Sequence, residues 1–265
     1  MLVLLPPSEG KASAGKGPAL DLAGLSLAEL NATRERVIDS LATLCEGDEV
    51  KALEVLGLGP KLRGEVLRNL ELRDGPTLPV AKLYTGVLYD ALGLATLGRA
   101  ARKRADRSLL VFSGLWGALR PTDRVPPYRL AMGVRLPGLG ALPGLWREAM
   151  DKPLPELAGD GLVLDLRSSA YTPAWRPTGE LAARTATVRV LHERVVGGEV
   201  RRSVVSHFNK ATKGRLTRQL LEAGAAPTDP PELADALRDL GWTVETHRPA
   251  KRGVVWGLDV VVKEI

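Results

Sequence analysis

The chain has 265 residues, 45% of them hydrophobic, a single cysteine and a formal net charge of +6. That length and apolar content allow a large buried core, the lone Cys45 excludes an intrachain disulfide, and no apolar run approaches the roughly 20 residues of a membrane span. The opening Met1-Leu2-Val3-Leu4-Leu5 lacks the basic start and cleavage site of a secretory signal, so the cytoplasm is the expected location, with no membrane partner.

Met1 to Leu5 reads as a buried strand ended by Pro6-Pro7, which leaves Ser8-Glu9-Gly10-Lys11 in a strand-end loop, a frequent place for binding groups. A helical pattern opens at Ser26, which would cap Leu27-Ala28-Glu29-Leu30 with Glu29 in the capping-box position. It runs toward Cys45, read as a small core residue. Val50 to Leu72 holds two short helical patterns around Gly57-Leu58-Gly59-Pro60, and Tyr84 to Leu97 adds another helix. Ser108 to Phe112 and Leu162 to Leu166 are short strands running into Ser113-Gly114 and Arg167-Ser168-Ser169. Pro137 to Pro143 is a Gly- and Pro-rich surface excursion. Strands at Thr185 to Val190, Val200 to His207 and Val254 to Val262, with helices at Asn209 to Ala223 and Pro231 to Leu240, complete the pattern. The expected fold is one mixed α/β domain over residues 1–265 with a central mixed sheet.

Charge is unevenly placed. Between Arg184 and Arg218 stand nine Lys or Arg residues against Glu193 and Glu199, and the stretch that follows, through Asp239, is acidic. Such a run is either a solvated face or an anion-binding surface. The histidines His192, His207 and His247 form no recognisable ligand pair, so no metal site and no cofactor is expected.

Val55-Leu56-Gly57-Leu58-Gly59-Pro60-Lys61-Leu62-Arg63 resembles the hairpin of helix-hairpin-helix DNA-binding proteins, within a segment spanning 50–72. Two glycines permit positive φ and close backbone approach, and the N–H groups opening the next helix can face a phosphate. Lys61 and Arg63 would add sequence-independent charge beside it, over an apolar hairpin core of Leu53, Leu56, Leu62 and Val66. The competing reading is a helix-to-helix turn in which glycine only caps a helix.

Ser113-Gly114-Leu115-Trp116-Gly117-Ala118-Leu119-Arg120-Pro121-Thr122-Asp123, continuing through Pro127-Tyr128-Arg129-Leu130-Ala131-Met132-Gly133, closely resembles the signature of the YaaA peroxide stress family. Further agreement lies at Tyr84-Thr85-Gly86, Leu166 to Tyr171, Ser206-His207-Phe208-Asn209-Lys210 and Lys213-Gly214-Arg215. The N-terminal Leu-Pro-Pro-Ser-Glu-Gly-Lys resembles the actinobacterial form. The resemblance implies a mixed α/β fold with a positively charged cleft and a helix-hairpin-helix-like element, binding duplex, bubble or junction-like DNA. It also implies a role in limiting peroxide damage and free iron; with one cysteine and scattered histidines, any effect on iron is indirect.

The matched residues compose an anion site: Arg120, Arg129, Lys210, Lys213 and Arg215 supply cationic donors, while Ser113, Tyr128 and Ser169 supply hydroxyls. Trp116 and Tyr128 either stack on an unpaired base or pack in the core. Arg120 either holds an anion or braces a loop with Asp123. So fixed a polar cluster keeps an enzyme in view, with Lys11, Ser113, Tyr128 and Lys210 as the candidate catalytic groups acting on a nucleotide or other small anionic substrate. No Ser-His-Asp order, Walker loop or metal pattern names a reaction.

Overall fold

A computed structural model describes residues 1–13, 15–196, 199–204 and 206–263. Its centre is a mixed sheet of eight strands: β1 (Leu2–Leu5), β2 (Leu109–Ser113), β3 (Gly117–Leu119), β4 (Val163–Asp165), β5 (Thr185–Val196), β6 (Glu199–Ser203), β7 (Thr243–His247) and β8 (Trp256–Lys263). They lie in the order β7-β8-β5-β4-β1-β2-β3, with β6 also paired to β5. The five inner strands run parallel, whereas β3, β6 and β7 are antiparallel to their neighbours. Strands buried on both faces need continuous apolar runs, and β1 and β2 are buried at every position.

The helices that position the site are α1 (Asn31–Glu46), α2 (Glu49–Leu56), α3 (Arg63–Arg68), α4 (Val87–Leu92), α5 (Arg99–Ser108), α6 (Leu142–Met150), α7 (Ser206–Ala223) and α8 (Pro230–Asp239), with further helical segments at Val80–Leu83, Pro153–Ala158 and Gly179–Ala183. α1 buries Arg34, Val37, Ile38, Leu41, Leu44 and Cys45, the spacing of one helical face. α7 lies so close to α4 that a Cβ on Gly214 would stand 2.3 Å from the Leu88 carbonyl oxygen. Only glycine admits that approach.

Several expectations shift. Ser26 does not cap a helix: its N–H and hydroxyl both donate to Asp123 Oδ1, at 3.0 and 2.7 Å, and the helix starts with a 3-10 turn at Ala28. The helix expected over Tyr84 to Leu97 is shorter, because Gly93 in the left-handed region ends α4. The strand expected to reach His207 stops at Ser203, and Ser206 already belongs to α7; Val205 and the side chains of Ser206, His207 and Phe208 lie outside the described residues. β7, absent from the sequence reading, pairs with β8 along five residues.

The topology has a switch point. From β1 the chain passes to β2 on one side, whereas from β4 it passes to β5 on the other. Loops after strands that diverge in this way leave a gap at the carboxyl ends of the sheet, the usual place for a ligand in α/β folds. Ser8 to Lys11 after β1, Ser113 ending β2 and Leu166 to Tyr171 after β4 all face this end.

Candidate functional site

At this strand end lies a buried cluster of hydroxyl groups. Ser113 Oγ accepts the Leu115 and Trp116 N–H groups at 3.1 and 3.0 Å, which uses both of its lone pairs. Its proton is therefore donated to Tyr128 Oη, 2.6 Å away, and Tyr128 Oη lies 2.9 Å from Tyr84 Oη. Tyr89 donates to the Pro6 carbonyl at 2.7 Å. Burial holds Tyr84, Tyr89 and Tyr128 well above the usual phenol range, and it pushes Tyr171 up to about 12. These phenols are neutral hydrogen-bonding groups at physiological pH.

Lys11 stands over them. Its backbone is held by a bridge to Tyr84, with Ala12 N–H to Leu83 O at 2.8 Å and Thr85 N–H to Gly10 O at 3.1 Å. The ammonium lies 4.5 Å from the Tyr128 ring centroid and 5.7 Å from that of Tyr84, and donates to Ser8 O at 3.1 Å. Burial lowers its pKa to about 8, opposed by Glu9 and reinforced by Arg129, with lesser effects from Glu65 and Arg68 of α3. Lys11 is thus brought toward neutrality near physiological pH.

The surrounding cations are mostly engaged. Arg129 pairs with the exposed Glu9 at 2.6 Å, and its backbone exchanges hydrogen bonds with the Asn69 side chain. Arg68 pairs with Glu65 at 2.8 Å. Lys213 donates to Leu166 O at 3.3 Å, its pKa lowered by burial. Below them, Arg167 and Asp165 form a buried bidentate pair at 2.9 and 2.6 Å, with Arg167 also donating to the carbonyls of Tyr171 and Trp175. Ser169, Lys210 and Arg215 are exposed.

Arg120 does not join the cluster, and Trp116 and Tyr128 offer no open stacking face. Arg120 is carried away because the turn at Gly117 sends β3 back along β2, pairing Val111 with Leu119. Its guanidinium donates to the carbonyls of Arg107 and Leu109, at the opposite end of β2 from Ser113. Asp123 receives the Arg120 backbone N–H at 2.7 Å, so the bracing contact comes from the backbone. Trp116 is fully buried and Tyr128 is 1% exposed, packed edge to face at 6.1 Å. Of the two readings for these rings, core packing is the one found, and neither face is open to a base.

The Gly-Leu-Gly segment joins α2 to α3. Gly57, at φ 65°, ends α2 in a Schellman turn: its N–H bonds to Glu54 O at 3.1 Å, and the Leu58 N–H bonds to Leu53 O at 2.8 Å. Gly59 is extended at φ −74°, so it does not use the left-handed freedom expected of both glycines. A 3-10 turn at Pro60–Leu62 follows, with Leu62 N–H to Gly59 O at 2.8 Å. Leu53, Leu56 and Val66 are buried as expected, but Leu62 is 42% exposed. Nothing lies within 4 Å of where a Cβ would stand on Gly57, Gly59 or Gly64. Lys61 and Arg63 are exposed and form no ion pair among the described residues. α3 also walls an open hollow of about 280 Å³, lined in part by Ser13, Gly64, Arg68 and Pro127, and its Glu65 and Arg68 act on the Lys11 charge, so the helix that follows the hairpin adjoins Lys11.

Glu9, Arg68, Tyr84 and Tyr171 were not singled out as site residues from sequence. Glu9 shares the Lys11 loop, whereas Arg68, Tyr84 and Tyr171 come from separate segments that only the fold brings together. Elsewhere, Glu245, His247 and Asp259 place potential ligand atoms within 4.8 Å of one another. Both Asp259 oxygens are already bonded by Arg189, at 2.8 and 2.5 Å, and His247 adds a contact at 2.9 Å. The group is an ion-pair network on the sheet surface. Among the described residues no helix is long and apolar enough to cross a membrane.

The molecule is therefore a mixed α/β protein with a cluster of polar side chains at the carboxyl ends of its parallel strands. Residues 1–248 match the family described as peroxide stress protein YaaA, and the chain belongs to that family. A UPF0246 protein of Streptomyces coelicolor is 62% identical over 265 residues, covering 100% of both chains. Another from Corynebacterium efficiens is 42% identical over 253 residues, 95% of this chain and 97% of its own. An uncharacterised protein of Campylobacter jejuni is 30% identical over 146 residues, 55% of this chain and 54% of its own.

Proposed function

We propose that this protein acts in the peroxide stress response by binding the phosphates of duplex or distorted DNA, with the α2–α3 turn as its principal contact and Lys213, Arg215 and Lys210 as a second cationic surface. DNA held in this way is shielded from peroxide damage, and any effect on free iron follows indirectly. The observation that carries the reading is the pair of exposed, unpaired cations, Lys61 and Arg63, beside a turn whose glycines leave room for a close backbone approach. Unpaired charge at the mouth of an open turn is what a phosphate contact requires, and it gives salt-sensitive, sequence-independent affinity.

Fluorescence anisotropy of labelled duplex and bubble DNA over a salt series tests it. The Lys61→Glu/Arg63→Glu protein should bind more weakly, and the slope of log affinity against log salt should shrink by about 2. Unchanged binding sinks the hairpin contact.

The crevice supports a second reading, a small anionic ligand held beside Lys11. What favours it is an enclosed amine next to Arg129, whose partner Glu9 is 67% exposed and so is displaced at little cost.

A further inference from the structure

We propose that the Lys11 amine is a nucleophile that condenses with an aldehyde carried on a small phosphorylated compound, forming a covalent imine in the crevice. This rests on the reading that the crevice takes a small anionic ligand, and it is independent of DNA binding at the hairpin.

Three observations converge on Lys11. It has no carboxylate within salt-bridge distance among the described residues, and a single hydrogen bond, to Ser8 O, occupies one of its three donor positions. Its flanks are the faces of Tyr84 and Tyr128, and its backbone is fixed by the bridge to Tyr84, so the amine is held in place without an anionic partner. It also stands at the carboxyl ends of the parallel strands, where ligands enter folds of this kind. The ionisable groups around it are Glu9 on its own loop, Arg129, Glu65 and Arg68 of α3, and the two phenols. A structural surface lysine would extend to water or pair with an acid; this one is half-buried over two rings, with no acid within salt-bridge distance among the described residues.

The condition of the amine matches the chemistry. At pH 8 about half of an amine with a pKa near 8 is unprotonated, against roughly 0.3% of one at the ordinary value of 10.5. The free amine adds to the carbonyl carbon. One N–H proton passes to the former carbonyl oxygen to give a carbinolamine, whose hydroxyl then leaves with the second proton as water as the C=N bond forms. No oxidant or reductant enters. Arg129, whose charge acts on the Lys11 amine, is the guanidinium that would take the phosphate once Glu9 is displaced.

The test uses the full chain with pyridoxal 5′-phosphate as the probe aldehyde and borohydride to fix any imine, followed by peptide mapping. Lys11 should be labelled about tenfold or more faster than exposed Lys16 and Lys61 near pH 7.5, and Lys11→Arg should lose that label while its thermal unfolding stays cooperative. Mapping the unaltered chain makes the result independent of how the variant folds. Labelling that follows exposure and spares Lys11 overturns the proposal. Pyridoxine 5′-phosphate, which has the phosphate but no aldehyde, separates the two readings in a thermal-shift assay: a shift without Lys11 labelling overturns the imine alone, and neither effect overturns both. Where Lys11 is labelled, a parallel borohydride trap with a duplex containing one abasic site identifies the source of the aldehyde. A protein–DNA adduct at Lys11 places the aldehyde on the opened sugar of damaged DNA and overturns the small-compound assignment, whereas its absence supports that assignment.

Discussion

The α2–α3 turn and the crevice around Lys11 adjoin, yet they handle charge in opposite ways. At the turn, Lys61 and Arg63 are exposed and unpaired beside glycines whose outer faces are empty. In the crevice, Arg129 and Arg68 are paired, Lys213 is tied to a carbonyl, and Lys11 is enclosed by aromatic rings. A surface that meets a polyanion needs available charge and little built structure. A surface that positions a reacting group needs the reverse, since its side chains must be held by their neighbours. One region is suited to affinity and the other to selectivity.

This contrast predicts a graded series of effects. The largest belongs below the crevice: Asp165→Ala strands the buried Arg167 guanidinium, and urea unfolding should show a loss of about 3–5 kcal/mol. A loss under 1 kcal/mol would mean that the pair does not hold the strand ends together. Ser113→Ala removes the acceptor of two backbone N–H groups and the donor to Tyr128, and should cost about 1–3 kcal/mol. Next comes a gain. Lys11 binds its proton less tightly when folded than unfolded, so enclosing the charged amine costs stability below pH 8, and that cost fades as pH rises from 8 to 10.5. Lys11→Met should accordingly stabilise the fold by about 1–2 kcal/mol at pH 7, with the advantage gone above pH 10.5; a pH-independent difference would place the amine in water. The smallest effect is expected at the turn, where Lys61→Glu/Arg63→Glu should change stability by no more than about 0.5 kcal/mol while weakening DNA binding. If unfolding shifts as much as binding does, the turn is structural and the contrast between the two regions fails.

The inner strands were legible from sequence because a strand buried on both faces must be apolar throughout, as in Leu2–Leu5 and Leu109–Ser113. Strand β7 was missed for the converse reason: Thr-Val-Glu-Thr-His at the edge of a sheet buries only Val244. Ser26 was misread because the acceptor that claims it, Asp123, lies 97 residues away, and local capping rules see only three residues ahead. Lys11, Ser113, Tyr128 and Arg129 were all found as candidates. Their grouping was not, since Tyr84, Tyr171 and Arg68 carry no local sign that they meet at one strand end. Arg120 shows the opposite failure: it sits inside the strongest motif, and a three-residue return strand removes it from the site.

The long strand β5 bears on how this chain is made. Its twelve residues span about 40 Å and form one edge of the ladder with β8, where Ala186 pairs with Trp256, 70 residues later in the chain. At roughly 5–20 residues per second, a ribosome needs about 4–14 s to supply that partner once Ala186 has been added. Throughout that interval the β8-facing backbone of β5 has no native strand beside it, an invitation to pair with another chain. Translation speed across residues 187–256 is therefore a determinant of yield for this protein, and slowing it should raise the fraction that aggregates before folding is finished.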